Sequence, residues 1–212
     1  MSKHPSRGFA IGAVAAIAAL LALAGCAANN PPQYYSLAES DSSPRAMASG
    51  ANGFIELAPL AMPERLARPQ MVVREKGADA GAQVRILDQH RWASSFESEL
   101  RDALSSAIAQ RLGAVDATRS ARPRIQPGLR IAVQVQQFDA VEGSRVDAGF
   151  GWTLRRTEEG APIGCQLFVS EPAPGGIESL ALGTRRATAR LADAIARSAK
   201  AQQANAADPC AA

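Results

Sequence analysis

Residues 129–138 read LRIAVQVQQF. Leu129, Ile131, Val133 and Val135 alternate with Arg130, Ala132, Gln134 and Gln136, the pattern of a strand with one buried face. Phe138 is out of phase with that face: either a bulge near Gln136-Gln137 returns it to the apolar side, or the strand ends there. The same period continues downstream. Val146, Ala148, Phe150, Trp152 and Leu154 alternate with Asp147, Gly149, Gly151, Thr153 and Arg155, and Ile163, Cys165, Leu167 and Val169 follow after Glu158-Glu159-Gly160. Three such runs joined by short polar turns form an antiparallel meander.

Upstream the chain is more broken. Tyr34–Leu37 (YYSL), Phe54–Leu57, Met71–Arg74 and Val84–Leu87 are short strand candidates, and Pro59, Pro63 and Pro69 make the gap before Met71 extended loop rather than helix. Residues 38–53 are rich in Ser, Ala and Gly and read as a surface loop or linker. Trp92, Phe96, Leu100, Ala103, Leu104, Ala107, Ile108 and Leu112 fall at spacings of three and four and predict an amphipathic helix ending at Gly113. A weaker stripe, Leu180, Thr184, Ala187, Leu191, Ile195 and Ser198, predicts a second helix after the break at Pro172, Pro174 and Gly175-Gly176. Strand runs interrupted by two such helices give an α+β fold, with one mostly antiparallel sheet and both helices packed on one face. There is no internal repeat.

The amino terminus has a different grammar. Lys3, His4 and Arg7 form a positive head, and the uncharged, apolar or small residues from Phe9 to Leu23 follow, as in a secretory signal. As a helix this run would rise only about 22 Å, at ~1.5 Å per residue, against a hydrocarbon core of roughly 30 Å. Leu23-Ala24-Gly25-Cys26 resembles a bacterial lipobox, which implies cleavage before Cys26 and acylation of its thiol and new amino group. Ala27, in place of Asp, implies sorting to the outer membrane. The expected organisation is a lipoprotein signal peptide at 1–25, a lipidated tether at 26–33, one domain at 34–204 and a flexible tail at 205–212.

Cleavage before Cys26 would leave 187 of the 212 residues, enough for one well-filled core. The 23 Lys and Arg include Lys3 and Arg7, so the remaining chain carries 21 basic against 20 acidic side chains. This balance argues against nucleic acid as a partner, as does Arg119–Arg124, a proline-broken basic stretch without aromatics that reads as a solvated loop. His90 is the single histidine beyond the signal and reads as a polar residue near a helix start. Gly149-x-Gly151 lies inside an alternating strand, so it reads as a place where another backbone or side chain lies close to the sheet, not as a nucleotide loop. Glu97/Glu99 are two apart on a helix and Glu158/Glu159 are adjacent in a turn, which suits neither pair to acid and base work. The chain is therefore read as not an enzyme, with no catalytic residues, no cofactor and no metal.

Taken in order, the lipobox at Cys26, YYSL, LARPQMVVRE at Leu66–Glu75 and RWASSFESELRDALSSAIAQRLG at Arg91–Gly113 resemble the PqiC family, the ABC-type transport auxiliary lipoproteins. The resemblance implies a periplasm-facing outer-membrane lipoprotein. It would receive the outer end of a hydrophobic conduit built by mammalian-cell-entry (MCE) domain proteins of a lipid transporter. The partners implied are an MCE-domain protein, the outer membrane through acylated Cys26, and further copies of the chain, since some relatives form rings. An envelope-assembly scaffold, or a lipid-binding lipoprotein unrelated to MCE transport, would share the anchor and the layering.

Cys165 and Cys210 are the remaining cysteines, an even pair in an exported chain, and they are expected to form a disulfide that pins a tail otherwise prone to fray. The alternative is a buried Cys165 and a free thiol at Cys210.

Overall fold

The computed structural model describes residues 31–38, 53–75, 83–119, 128–156 and 161–211. The signal, Cys26, most of loop 38–53, most of the basic stretch 119–124 and the turn at 158–160 lie outside the described residues.

Eight strands form one sheet that does not close: β1 (Gln33–Tyr35), β2 (Phe54–Leu57), β3 (Gln70–Arg74), β4 (Arg85–Trp92), β5 (Val115–Asp116), β6 (Gly128–Val141), β7 (Arg145–Arg156) and β8 (Ile163–Pro172). Two long helices, α1 (Phe96–Leu112) and α2 (Ile177–Gln203), complete an α+β fold. The backbone of the sheet is the predicted meander, β6 paired antiparallel with β7 and β7 with β8.

The other edge of β6 is shared. Its first residues pair in parallel with β2 (Leu57 opposite Ile131) and its last with β3 (Val73 opposite Ala140). Ala61 bridges Gln134 between them. The proline-rich segment thus runs along β6, with one short 3-10 turn at Glu64–Leu66. β4 pairs antiparallel with β3, β1 parallel with β4, and β5 parallel with β2. The sheet is therefore mixed.

Gln136 is the extra residue of a bulge. Val135 pairs with Phe150 while Gln137 pairs with Gly149, so the strand continues and Phe138 returns to the buried face. There the ring packs against Phe96, centroids 4.8 Å apart, and Phe96 stacks on Trp92 at 5.3 Å.

The helix expected from Trp92 begins at Phe96, because Ser95 caps it: its Oγ accepts the Ser98 amide at 3.2 Å. Trp92 instead closes β4, which continues past the expected Leu87, so His90 is a strand residue. Gly113 ends α1 in the left-handed region at φ 61°, a conformation that suits glycine. α1 buries Phe96, Leu100, Leu104 and Ile108, and α2 buries Leu180, Leu191 and Ile195, all within the same core as Ile131, Val133, Phe150 and Trp152. Thr184 and Thr188 can sit on that apolar side of α2 because their hydroxyls donate to the carbonyls of Leu180 and Thr184, each at 2.8 Å. α2 also lies close to the sheet at Gly183, where an added Cβ would stand 3.1 Å from Val146 Cγ2.

Candidate functional site

The described chain enters the domain at β1, the first element after the expected tether. β1 lies in register on β4, Gln33 opposite His90 and Tyr35 opposite Trp92, and the Ala93 amide donates to the Tyr35 carbonyl at 2.7 Å. The Tyr35 hydroxyl shares a hydrogen bond with His90 Nδ1 at 3.0 Å. Burial, reinforced by the charge of Glu178, raises the Tyr35 pKa above that of an ordinary tyrosine, so the phenol stays neutral. Past β1 the chain is gripped from the start of α1. Glu99 Oε2 accepts the Leu37 amide at 3.0 Å and the Ser36 hydroxyl at 2.9 Å, while Ser94 donates to its other oxygen at 3.0 Å. Leu37 is 2% exposed. Gln33–Leu37 are thus held by backbone pairing, a carboxylate clamp and a buried leucine.

The two helix carboxylates considered for acid and base chemistry have separate structural duties. Glu99 holds Leu37, and Glu97 Oε1 accepts the Leu60 amide at 3.4 Å. Sequence reasoning placed them on different sides of α1 but missed what they hold, since the acceptor role depends on two loops from distant parts of the chain.

The carboxyl-terminal tail returns to the far edge of the sheet. Cys165 and Cys210 lie side by side with Cα atoms 5.5 Å apart, and Cys210 Sγ is 3.3 Å from the Gly164 carbonyl oxygen. Cys165 is buried beside Ser198 of α2, so α2 does fold back over β8.

The sheet face away from the helices carries the two glycines of β7. Phe168 lies directly over Gly149, and the side chain of the bulged Gln136 lies over Gly151. The close approach expected there is therefore made by side chains of this chain. At the β3–β6 junction Arg74 Nε donates to Asp139 Oδ1 at 2.5 Å. Burial alone would raise the Asp139 pKa; the hydrogen bonds from Arg74 and Gln137, with the charges of Arg74 and Arg65, outweigh it and hold the carboxyl below its ordinary value.

Between sheet and helices, a void lined by Leu66, Met71, Trp92, Phe96, Phe138 and Leu180 measures about 10 Å³. That is at most room for one water. Among the described residues no three His, Cys, Asp or Glu side chains are grouped to hold a metal ion, and no helix is long and apolar enough to cross a membrane.

Residues 35–196 match the family model described as the ABC-type transport auxiliary lipoprotein component. The chain belongs to this family. It is thereby an auxiliary component of ABC-type transport in the cell envelope, a role that is not enzymatic. The matched span runs from the end of β1 through most of α2 and so covers Leu37, Glu99, the meander and α1.

Two crystal structures share the fold. One, of an uncharacterized protein, is 20% identical with a TM-score of 0.62 and covers 79% of this chain and 98% of its own. The other, protein XCC0632 from Xanthomonas campestris, of family DUF330, is 12% identical with a TM-score of 0.54 and covers 82% of this chain and 90% of its own. No curated protein matches the chain.

Proposed function

We propose that this auxiliary lipoprotein is anchored by acylated Cys26 in the outer membrane, faces the periplasm, and docks the MCE-domain conduit of a lipid transporter to that membrane. The observation that carries the reading is the family match, which begins at residue 35, just after the lipobox cysteine. Two or more acyl chains make anchoring stable, at ~0.8 kcal/mol per buried methylene, and the short tether from Cys26 to β1 holds the domain within ~25 Å of the bilayer at up to ~3.5 Å per residue.

The geometry supports a docking part over a carrier. A lipid enclosed within the core would need several hundred Å³ of apolar space, and the void between sheet and helices is far smaller; the larger hollow at Ala61, Trp152 and Cys210, about 680 Å³, is open to solvent. The clamp from Glu99 on Ser36 and Leu37 fixes the first residues of the domain to α1, which suits a part that must hold a conduit in line. With Cys165 and Cys210 oxidised in the periplasm, both ends of the domain would be secured.

The test has two arms. Cys26→Ser should abolish acyl labelling and release the chain from the membrane, and retention of both would overturn the anchor. Full-length protein purified with its lipid should bring down an MCE-domain protein, and deletion of the gene should weaken the envelope barrier to detergent. Purification without any MCE-domain partner, together with a barrier that the deletion leaves unchanged, would overturn the docking role.

A further inference from the structure

β8 is the last strand on its side of the sheet and, among the described residues, pairs only with β7. Its parity can be read from its ends. The Ala173 amide donates to the Ser144 carbonyl on the β7 side, so odd-numbered residues turn their backbone groups towards β7. Even-numbered residues turn theirs outward, as the approach of Cys210 to the Gly164 carbonyl also shows. That leaves Gln166, Phe168 and Ser170 presenting a row of outward N–H and C=O groups.

Natural sheets usually blunt such an edge with charges, prolines or bulges. Here Ile163–Ser170 holds no charged residue and no proline, and the register with β7 is unbroken from Ile163 to Pro172. Phe168 is 66% exposed beside the open row.

Along this edge, between β8 and α2, runs a groove of about 350 Å³ lined by Leu167, Val169, Glu171, Arg190, Asp193 and Arg197. Its charges are unequal. Glu171 is buried, its side chain 6% exposed, and both Arg186 and Arg190 reach it. Asp193 is engaged by Arg111 of α1. Arg190 donates from Nε to Glu171 Oε1 at 2.6 Å, yet its side chain is 68% exposed. A buried carboxylate thus fixes the inner edge of the guanidinium. Its outer fork of two Nη groups stands at the groove, where a second carboxylate could bind it end-on.

We infer that the open edge of β8 takes up one extended segment of a partner protein as a ninth strand, with an acidic side chain of that segment seated on Arg190. Backbone bonds to Gln166, Phe168 and Ser170 supply register, Phe168 covers one face of the guest, and Arg190 selects an acid on the other. A second copy of this chain would bring no spare carboxylate on the matching edge, since Ile163–Ser170 holds no acid, Glu171 is buried between Arg186 and Arg190, and Asp193 is engaged by Arg111; this disfavours it as the occupant. This goes beyond the docking reading and does not depend on which transporter the chain serves.

The experiment uses the full-length chain in lipid nanodiscs to select binders from a displayed library of random ten-residue peptides. Binding of a synthetic copy of an enriched peptide is then measured against variants, with amide hydrogen exchange on β8. The inference expects enriched peptides of alternating β-branched residues with an Asp or Glu at one fixed position, and slowed exchange at Gln166, Phe168 and Ser170. Phe168→Pro removes an outward N–H without touching the β7 ladder and should weaken binding at least tenfold. Arg190→Gln should do the same, and Arg190→Glu should shift selection towards Lys or Arg. Circular dichroism confirms that each variant is folded, and Arg190→Gln serves if Arg190→Glu is not.

No enrichment, enrichment without an acidic position, unchanged exchange on β8, or indifference to both Phe168→Pro and Arg190→Gln would overturn the inference. So would sedimentation showing the edge occupied by a second copy. Loss of the MCE partner with peptide binding intact removes the docking reading alone, and the converse removes only this inference.

Discussion

Glu99, in the first turn of α1, accepts the backbone amide of Leu37 at 3.0 Å and so joins the amino-terminal segment to the helix 62 positions later in the chain. The same oxygen takes the Ser36 hydroxyl, so one carboxylate holds two successive residues. Glu99→Ala should leave the Leu37 amide without its charged acceptor and cost about 1 to 2 kcal/mol. Amide exchange should speed up at residues 33–37 and stay slow at Leu104 and Ile108, deep in α1. Equal acceleration at both places would mean that Glu99 supports the whole fold and not this entry point.

Gly149 sits beneath Phe168 so closely that a Cβ added there would stand 2.6 Å from the ring. The atom in the way belongs to the far end of an exposed side chain, which can swing aside. Gly149→Ala should therefore shift stability by no more than about 1 kcal/mol, since removing a strand glycine gains roughly 0.5–1 kcal/mol against the lost ring contact. Its mark should be on the ring: faster solvent quenching or altered ring shifts for Phe168. An unchanged Phe168 spectrum would contradict the close approach.

Much of this was legible before any coordinates, for identifiable reasons. Alternation along β6, β7 and β8 exposed the meander, because each strand has one buried face and the period of two survives in the sequence. The α1 stripe was equally plain, but its start was read four residues early, since Trp92 falls on the helical spacing while belonging to a strand that ends against Phe96. The parallel pairings of β1, β2 and β3 left no local trace. Short strands that pair with distant segments depend on tertiary contacts, and the two-residue β5 is too brief to show a period. The Glu99 clamp and the Glu171 pair with Arg186 and Arg190 were invisible for the same reason: in sequence each is only a charge on an amphipathic element.

Asp139 gives the fold an acid-sensitive joint. Its carboxyl titrates below the ordinary aspartate range when folded, held there by Arg74 and Gln137 against the opposing effect of burial. A depressed folded pKa contributes stability that is fully present above the unfolded pKa, near the ordinary aspartate value of about 3.9, and is lost as pH falls through the folded one. Asp139→Asn should therefore destabilise the protein at pH 7, by about 1 kcal/mol or less for a partly exposed pair. The gap from wild type should close in acid, below both pKa values. Urea denaturation from pH 7 to pH 2 checks this, and a gap that stays constant would show that Asp139 makes no pH-dependent contribution.

Cys210 lies beyond the end of α2, and its partner Cys165 lies on the buried side of the strand at the sheet's edge, so their bond would close a loop across 45 positions. That loop contains most of β8 and all of α2, the very pieces that frame the groove at Arg190. A cross-link of this span typically adds ~2 to 4 kcal/mol by restricting the unfolded chain. Cys210→Ser should lower stability by that order and quicken exchange at residues 200–211, and in β8 at Gln166, next to the point of attachment. Reductant should reproduce the loss in the wild-type protein and have no effect on the variant. The covalent state is read directly by alkylation of the unfolded, non-reduced chain. Protection of both Cys165 and Cys210 is the expected result, and labelling of both would show that α2 is held to β8 without a covalent tie.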